Sequence, residues 1–517
     1  MARRRYCVAA LVTAAVAFAA AVATADGGSS QARTTTPLRL APLKVTKIGT
    51  VHVSKLPAAK ATGPRRALPF LPFNPAAYAA SKRASSGSAA SADGPSSITS
   101  RPTISVGTLL PTPLSSDDDP RYTPPDMGFA VSTGGLKMEQ INTSLRTWDA
   151  SNTPSIARDL TTFYLTGGDL ISDPWVLYDR PTGRWFTSIF DITLSSERIA
   201  VSQTSDPTGL FNIYNIQEGQ PGGCPDQGKL GLSDDVVALS ANEFTSCFVN
   251  PVFLGVIVTV LNKAEMVAGA ATVDSAQIGP MAQYSSSVVP AQSLGSTTTQ
   301  WYAGLDDSSS TVAHIVQTTG TPPAAVTLSE PFTPTVKAVT TPPGADQPGT
   351  ATLLETNDNR VQTVAWQSKR LVFTATTGCM PANDTVIRSC ARVTSFNTQR
   401  GSIAFDKNRS KKGQHYFFPA ASINANDTIV VDYGRSSSEI YPELDATAAG
   451  KGGGFAKPVV VQSGDAANET TRYGDYFSVA IDPDNPSNAW VAGEVGGHNA
   501  NGANGWGTAV GEVLVSP

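Results

Sequence analysis

The sequence predicts an all-β fold built by radial repetition, and the first observation behind it is a hairpin that occurs twice. The two copies are ISDPWVLYDRPTGRWF, residues 171–186, and YGDYFSVAIDPDNPSNAWV, residues 473–491. Each has an Asp ahead of a short apolar strand, then a second Asp, a proline-bearing turn and a Trp in the next strand. A hairpin that recurs among other β-rich segments is typical of a β-propeller.

The second observation is the pattern of residues 126–517. Short stretches rich in Val, Ile, Thr, Tyr and Phe alternate there with clusters of Gly, Asn, Asp, Pro and Ser, and no convincing helix interrupts them. They form seven groups of about 56 residues, compared with ~40–50 for known blade repeats. A single propeller of seven blades is favoured, with six blades as the alternative count. A row of β-sandwiches would need several domains without a linker between them.

The ends of the chain are predicted to close the ring. The last apolar stretch reaches Val515, so the final strand is expected to pair with the first group, which begins at Met127. Such pairing would remove an open sheet edge.

The N-terminus predicts secretion. Arg3 to Arg5 precede an apolar stretch, Val8 to Val22, which ends before the small residues Ala23-Thr24-Ala25. This stretch is shorter than the ~20 residues of a membrane-spanning helix. Residues 1–25 are therefore interpreted as a secretion signal peptide, and the mature protein as extracellular.

Residues 26–122 are rich in Ala, Ser, Thr and Pro, which predicts a mostly disordered linker ahead of a propeller at 123–517. Within it, Leu38 to Val53 alternates enough to form a strand that could dock on the domain, although a loose pro-segment is the preferred interpretation. The acidic triplet Asp117-Asp118-Asp119 is interpreted as a solvated turn rather than a calcium loop.

Charge and hydropathy exclude two classes of partner. Removal of residues 1–25 takes away three Arg and no acid, leaving 35 basic and 42 acidic residues. This balance, without Lys/Arg clusters, argues against nucleic-acid binding. The longest remaining apolar stretch, Val252 to Leu261, is read as a buried strand, so no membrane span is expected in the mature chain. We expect a monomer.

Four cysteines remain in the mature chain: Cys224, Cys247, Cys379 and Cys390. An even number in an exported protein favours disulfides, with three possible connectivities. The local pairs, Cys224–Cys247 and Cys379–Cys390, are expected because each would lie within one hairpin or blade. The absence of CxxC spacing argues against a metal site.

Carboxylates are the main candidates for chemistry, because the sequence has no G-x-S-x-G, HExxH or P-loop motif. Asp173 and Asp475 occupy equivalent positions at the start of a blade's inner strand, where they could face the central channel. Paired acids there could hydrolyse glycosides or bind calcium. The preferred alternative is that they accept backbone N–H groups and fix the crossover between blades.

A second polar set comprises Arg435, Glu439, Arg472 and Glu494. Arg435 follows an apolar strand and Arg472 precedes one, so both could lie on one rim and bind a carboxylate or an acidic sugar. Ion pairing between blades, with Glu439 or Glu494, is the preferred alternative.

Several motifs resemble, in the same order, the blades of secreted bacterial β-propeller proteins that are loosely grouped with sialidase-like or WD40-like propellers. They include PPDMGFAV, SDPWVLYDRPTGRWF, RIAVSQTSDPTG and RYGDYFSVAIDP, and the resemblance covers residues 123–517. It implies a secreted propeller without an agreed activity. The sialidase Asp-box, S-x-D-x-G-x-x-W, is absent, which argues against sialidase activity.

The leading hypothesis is a secreted binding or scaffold module whose ligand is a glycan or a protein. The alternative is a carbohydrate-active hydrolase or lyase that uses acids of the channel. The residues leave open whether the protein is an enzyme, and they imply no cofactor apart from the calcium considered above.

Overall fold

The computed structural model describes residues 36–59, 66–68, 70–83, 101–118, 122–217, 223–307, 310–498 and 504–516. The predicted signal peptide, Asp119 and the part of the predicted linker from 84 to 100 lie outside these residues. The described chain is an all-β protein with only short helices, which confirms the predicted class. No helix in it is long and apolar enough to cross a membrane.

The N-terminal part contributes five strands, one α-helix and one 3-10 helix, Val53–Lys55. The strands and the α-helix are β1 (Leu38–Arg39), β2 (Ala41–His52), β3 (Arg66–Ala67), α1 (Pro75–Arg83), β4 (Thr103–Leu109) and β5 (Tyr122–Thr123).

The rest of the chain forms seven successive groups of antiparallel strands. The first group is β6 (Gly128–Val131), β7 (Lys137–Ile141), β8 (Ser144–Trp148) and β9 (Arg158–Asp159), followed by α2 (Leu160–Phe163). The second group is β10 (Ile171–Asp179), β11 (Arg184–Asp191), β12 (Ser196–Ser202) and β13 (Leu210–Gln217). The third group is β14 (Cys224–Leu232), β15 (Val236–Phe244), β16 (Phe253–Asn262), α3 (Lys263–Val267) and β17 (Thr272–Met281).

The fourth group is β18 (Val288–Pro290), β19 (Gln292–Ser293), β20 (Gln300–Leu305), β21 (Ala313–Thr319) and β22 (Thr327–Phe332), and the fifth is β23 (Val361–Gln367), β24 (Arg370–Cys379), β25 (Arg388–Asn397) and β26 (Ser402–Arg409). The sixth group is β27 (His415–Ile423), β28 (Ile429–Ser437), β29 (Ile440–Ala449) and β30 (Val459–Gln462). The seventh group is β31 (Ser478–Ile481), β32 (Ala489–His498) and β33 (Asn504–Ser516). In the fourth group β19 lies apart and pairs in parallel with β14 and β23.

The first strand of each group contacts the first strand of the next. The contacts run from β6 through β10, β14, β18, β23 and β27 to β31, and β31 contacts β6. Apolar side chains fill the space between neighbouring groups; one core cluster joins Leu145 of the first group to Val176 and Trp185 of the second. These first strands line a space that we call the channel.

The segment before the groups differs from the predicted disordered linker wherever it is described. β1 pairs with β22, and β2 lies between β17 and β13, so this segment runs along the outer strands of the fourth, third and second groups. Outer strands have unpaired backbone groups, and a strand that pairs with them stabilises both sides. The alternation noted from Leu38 to Val53 is therefore that of a paired strand.

The final strand has a different partner from the expected one. β33 pairs with β32 and with β4, rather than with the first group. β4 thus supplies the fourth strand of the seventh group. The predicted domain boundary at residue 123 had placed β4 in the linker instead.

Both local disulfides are confirmed. Cys224 and Cys247 are bonded across 23 positions of the sequence, and Cys379 and Cys390 across 11. The second one links facing strands β24 and β25 of a single group.

Candidate functional site

The first strands bring four aspartates together at one end of the channel. Asp126 and Asp475 lie just ahead of β6 and β31, whereas Asp173 and Asp226 lie near the start of β10 and β14. All four line a cavity of ≈ 30 Å³ together with Arg472. We call these four carboxyl groups the acid cluster.

A local irregularity turns two of these acids toward the cavity. The register of β10 against β11 shifts across Asp173, and that of β14 against β15 shifts after Asp226. The backbone φ is +60° at Asp173 and +53° at Gln227, in the left-handed region that few side chains tolerate. Bulges of this kind re-aim side chains near functional sites.

Hydrogen bonds of the acid cluster link neighbouring groups. The Asp173 carboxylate accepts the backbone N–H of Gln227 in the third group at 3.1 Å. The Asp126 carboxylate accepts the backbone N–H of Asp475, from the seventh group, at 3.1 Å. Asn142 donates to Asp126 and accepts the N–H of Asp173, both at 3.1 Å. These bonds are of the type expected if the acids fix the crossovers between groups.

Burial changes the protonation of the cluster. It raises the pKa of Asp173 to about 8, with the charges of Asp226 and Asp475 adding to the effect. Burial also raises the pKa of Asp226 to about 6, although the nearby Arg360 limits that rise. The pKa of Asp126 is raised well above its ordinary value by burial and then by the neighbouring acids. Protons are therefore held in the cluster near neutral pH.

Two guanidinium groups lie beside the acid cluster. Arg360 donates to both carboxylate oxygens of Asp358, at 2.7 and 2.9 Å, and to the side-chain oxygen of Gln227 at 2.8 Å. Arg472 donates to the Asp475 carboxylate at 2.8 Å. Arg360 is 1% exposed and Arg472 is 7% exposed, so both charges are removed from solvent.

Residues 66–68 and 70–83, which include β3 and α1, cover this end of the channel; we call them the plug. Arg472 Nε donates to the carbonyl oxygen of Leu68 at 2.9 Å, and Arg360 donates to that of Leu71 at 2.8 Å. Both leucine side chains are buried and line the cavity over the acid cluster. The plug therefore closes the end of the channel at which the first strands begin.

Aromatic side chains narrow the channel above the acid cluster. Trp175 and Tyr476 stack with their ring centroids 5.0 Å apart, and the Lys229 ammonium lies 4.5 and 3.9 Å from those two centroids. Burial lowers the pKa of Lys229 to about 7, and its Nζ has no hydrogen-bond partner among the described residues. These side chains lie between the covered end and the opposite end.

The opposite end of the channel opens into a pocket of ≈ 410 Å³, which we call the channel-mouth pocket. Its walls are the ends of the first strands and the turns that follow them, contributed by all seven groups: Ala130, Val131, Tyr178, Asp179, Arg180, Pro181, Leu232, Ser233, Asp234, Gln292, Ser293, Leu294, Gly295, Ser296, Gln367, Ala425, Ala480, Ile481, Pro483 and Pro486. A pocket of this size with a few polar groups on apolar walls is typical of a small-molecule site.

The charged side chains of the channel-mouth pocket differ in whether they have a hydrogen-bond or ion-pair partner. Asp179 is buried and pairs with Lys263 at 3.2 Å, and Asp234 accepts the hydroxyl of Ser296 at 2.6 Å. Arg180 is exposed and has no hydrogen-bond partner among the described residues. The pocket thus offers one available guanidinium beside fixed acids.

The six residues predicted for a ligand site divide between two places. Asp173, Arg472 and Asp475 meet at the covered end. Glu494 is close by: it is buried, accepts the backbone N–H of Gly474, and burial raises its pKa well above the ordinary value.

Arg435 and Glu439 do not line the cavity over the acid cluster. Arg435 pairs with Glu443 and with Asp445, whose oxygen is 3.1 Å away, across β28 and β29 of the sixth group. Glu439 lies exposed in the turn between those strands. Arg435 and Arg472 pair with different acids, Glu443 and Asp475, and their placement on one rim stays a prediction.

The sequence reasoning missed Asp126, Asp226 and Arg360. The two acids obey the same rule as Asp173 and Asp475, an Asp at the start of a group's first strand, so applying that rule to every group would have found them. Arg360 just precedes β23 in a run of Asn and Asp, and its contacts depend on the plug.

The chain is similar to several solved structures at low sequence identity. No known sequence family and no curated protein matches the chain. Solved structures that are similar include an α-L-arabinofuranosidase from Fusarium graminearum in complex with an iminosugar inhibitor, with 11% identity over 66% of this chain and 92% of that one and a TM-score of 0.36. An endo-arabinase from Bacteroides thetaiotaomicron has 10% identity over 58% and 95%, with a TM-score of 0.28. A fungal alcohol oxidase in complex with copper has 10% identity over 79% and 76%, with a TM-score of 0.41.

The names of these three proteins describe enzymes, two of them carbohydrate-active, and none of the three is named as a sialidase or a WD40 protein. Similarity at this level supports no argument about the activity of this chain. The described residues contain no group of three or more His, Cys, Asp or Glu side chains placed to hold a metal ion.

Proposed function

We propose that the protein is a secreted, seven-bladed β-propeller that binds an extracellular carbohydrate in its channel-mouth pocket. The seven groups of strands, the contacts of their first strands from β6 round to β31 and back to β6, and the pairing of β4 with β33 support a closed ring. Pairing of N- and C-terminal strands within one blade leaves no open edge between the first and last groups.

The observation that carries the binding function is the channel-mouth pocket itself. It is the largest of the cavities described above, it is open to solvent, and turns from all seven groups line it. The acid cluster at the other end is held in hydrogen bonds between groups and covered by the plug. The ≈ 30 Å³ cavity over the acid cluster is too small for a sugar ring, whereas the ≈ 410 Å³ channel-mouth pocket has room for one.

The lining of the pocket suits a polyhydroxylated ligand. Arg180 can donate to a hydroxyl or carboxylate oxygen, and the amide of Gln292 can donate and accept. Tyr178, Leu232 and Pro181 supply apolar and aromatic surface on which a sugar ring can lie. A protein ligand at the same face is the alternative partner.

Secretion and a monomeric state are part of the proposal. The predicted signal peptide and the two disulfides both favour an oxidising, extracellular environment. The proposal requires no metal or cofactor.

A glycan-array screen followed by calorimetric titration tests the binding function. Arg180→Ala is expected to weaken binding of the best glycan at least about tenfold, because it removes a charge-assisted hydrogen bond. Lys44→Ala, on β2 at the outer edge, is the matched control for loss of a positive charge. Equal binding by Arg180→Ala and the control, or no glycan bound by the wild type, would remove the carbohydrate site from the channel mouth.

A second candidate function is carbohydrate hydrolysis by the acid cluster, and one observation favours it. Asp173 has its pKa raised to about 8 while Asp226 nearby has a pKa of about 6, and such a difference can separate a general acid from a base or nucleophile. This activity would require displacement of the plug. Release of reducing sugar from a polysaccharide panel, lost in Asp173→Asn and Asp226→Asn, would support it; full activity in both variants would reject it.

A further inference from the structure

The plug contains a short repeat that no function described above uses. Residues 68–73 read Leu-Pro-Phe-Leu-Pro-Phe, two copies of one tripeptide. Proline-rich segments of extended backbone have three residues per turn, so equivalent positions of such a repeat lie on the same side. The observed contacts follow this period of three.

The two leucine positions make equivalent contacts. The carbonyl oxygens of Leu68 and Leu71 each accept a hydrogen bond from a guanidinium, Arg472 at 2.9 Å and Arg360 at 2.8 Å. Their side chains are both 5% exposed. Leu71 packs in one apolar cluster with Phe190 of β11 and residues of β14 and β15.

The two phenylalanine positions also make equivalent contacts. The Arg360 guanidinium lies 4.7 Å from the centroid of Phe70 and 4.4 Å from that of Phe73. Phe73 packs edge-to-face on Phe253, with centroids 4.8 Å apart. Arg360, which is buried, thus contacts one carbonyl oxygen and two ring faces of the same repeat.

We propose that the covered end of the channel is a binding site for extended, proline-bearing peptides with the Leu-Pro-Phe repeat, and that Leu68 and residues 70–73 occupy it within the same chain. The peptide ligand supplied by another chain would make the same carbonyl and ring contacts. Grooves that bind proline-rich segments use preformed aromatic and polar contacts in this way. The site is separate from the channel-mouth pocket, and its existence does not depend on glycan binding there.

Tethering explains why the site is occupied within the chain. A segment joined to its site has an effective concentration in the millimolar range, so a free peptide of equal affinity competes only at similar concentrations. The Lys82–Glu355 ion pair at 2.8 Å, at the end of α1, holds the plug in addition. Displacement of the plug would also expose the acid cluster, which links this site to the second candidate function.

The test uses the full chain and a synthetic peptide of residues 66–83. Phe70→Ala with Phe73→Ala in the protein weakens the plug and leaves Arg360 and Arg472 in place. Calorimetric titration is expected to show saturable binding of the native peptide to this variant and at least about tenfold weaker apparent binding to the wild type. A peptide in which both Phe are replaced by Ala is expected to bind the variant at least about tenfold more weakly than the native one.

Two outcomes would overturn the proposal. One is absence of binding of the native peptide to a folded variant; the other is equal binding of the native and Ala-substituted peptides, since a nonspecific apolar surface would not distinguish them. Circular dichroism and thermal unfolding establish that the variant is folded. If the double variant does not fold, Phe73→Ala alone is titrated with the same two peptides and judged by the same two outcomes.

Discussion

The two ends of the channel are built from the same strands and differ in what lies over them. β10 reaches both ends: Asp173 is near its start, in the acid cluster, and Asp179 is its last residue, at the channel-mouth pocket. At ~3.3 Å per residue the two acids are about 20 Å apart along the strand. One is covered by the plug, and the other borders a pocket open to solvent.

The repeat alone therefore does not determine the environment of a repeated residue. The seven groups supply similar strand starts and strand ends, whereas the plug comes from a segment outside the repeat. Its two carbonyl contacts with Arg360 and Arg472 occur only at one end of the channel. The same kind of carboxyl group therefore holds a proton at one end and forms an ordinary ion pair at the other.

Among the substitutions considered, replacement of Arg360 at the covered end is expected to lower the free energy of unfolding most. Arg360→Ala leaves Asp358 buried without its ion pair and removes a donor from the plug, so we expect the free energy of unfolding to fall by about 3–5 kcal/mol. Arg180→Ala at the channel mouth is the matched control and should change it by less than about 0.5 kcal/mol. Urea denaturation measures both, and similar losses in the two variants would contradict the contrast between the ends.

Replacement of Asp179 at the open end is expected to lower the free energy of unfolding by a smaller amount. Asp179→Asn removes the charge paired with Lys263, which is itself buried, and should lower the free energy of unfolding by about 1–3 kcal/mol. Urea denaturation at pH 7 measures the change. A variant as stable as the wild type would show that the pair contributes nothing and that the end of β10 is held by other contacts.

The smallest expected effect is a pH dependence specific to the covered end. The folded-state pKa of Asp173 is raised to about 8, so between the unfolded value near 4 and pH 8 the folded state holds a proton that the unfolded state has lost. Stability from this group therefore falls as the pH rises through that window. Asn carries no such proton, so the stability of Asp173→Asn relative to wild type should increase by about 1 kcal/mol between pH 7 and pH 8, where the folded state begins to lose its proton.

Thermal unfolding of the two proteins at both pH values measures this difference. Asp226 and Lys229 also titrate near this range, but they are present in both proteins and largely cancel in the comparison. A constant difference between variant and wild type would show that Asp173 ionises as readily in the folded state as in the unfolded one.

The strand groups could be predicted from the sequence because each is encoded locally, by apolar stretches and turn residues such as Asp179 to Gly183. The convergence of Asp173 with Asp475 was also foreseeable, since both occupy the same place in the repeat. The docking of residues 38–53 was foreseen only as the less favoured alternative, and the role of residues 66–83 was not foreseen, because their composition is that of a linker and their partners lie far away in sequence. Strand β2 pairs with β13 and β17, and Leu71 meets Arg360, 289 positions later.

The most direct test of the difference between the two channel ends is the reactivity of their arginines toward phenylglyoxal, followed by mass spectrometry of the native protein. Arg180 is exposed, whereas Arg360 is 1% and Arg472 is 7% exposed under the plug. Arg180 is expected to react at least about tenfold faster than either buried arginine, and the three should react alike after denaturation. Equal rates in the native protein would contradict a covered end and an open end of the channel.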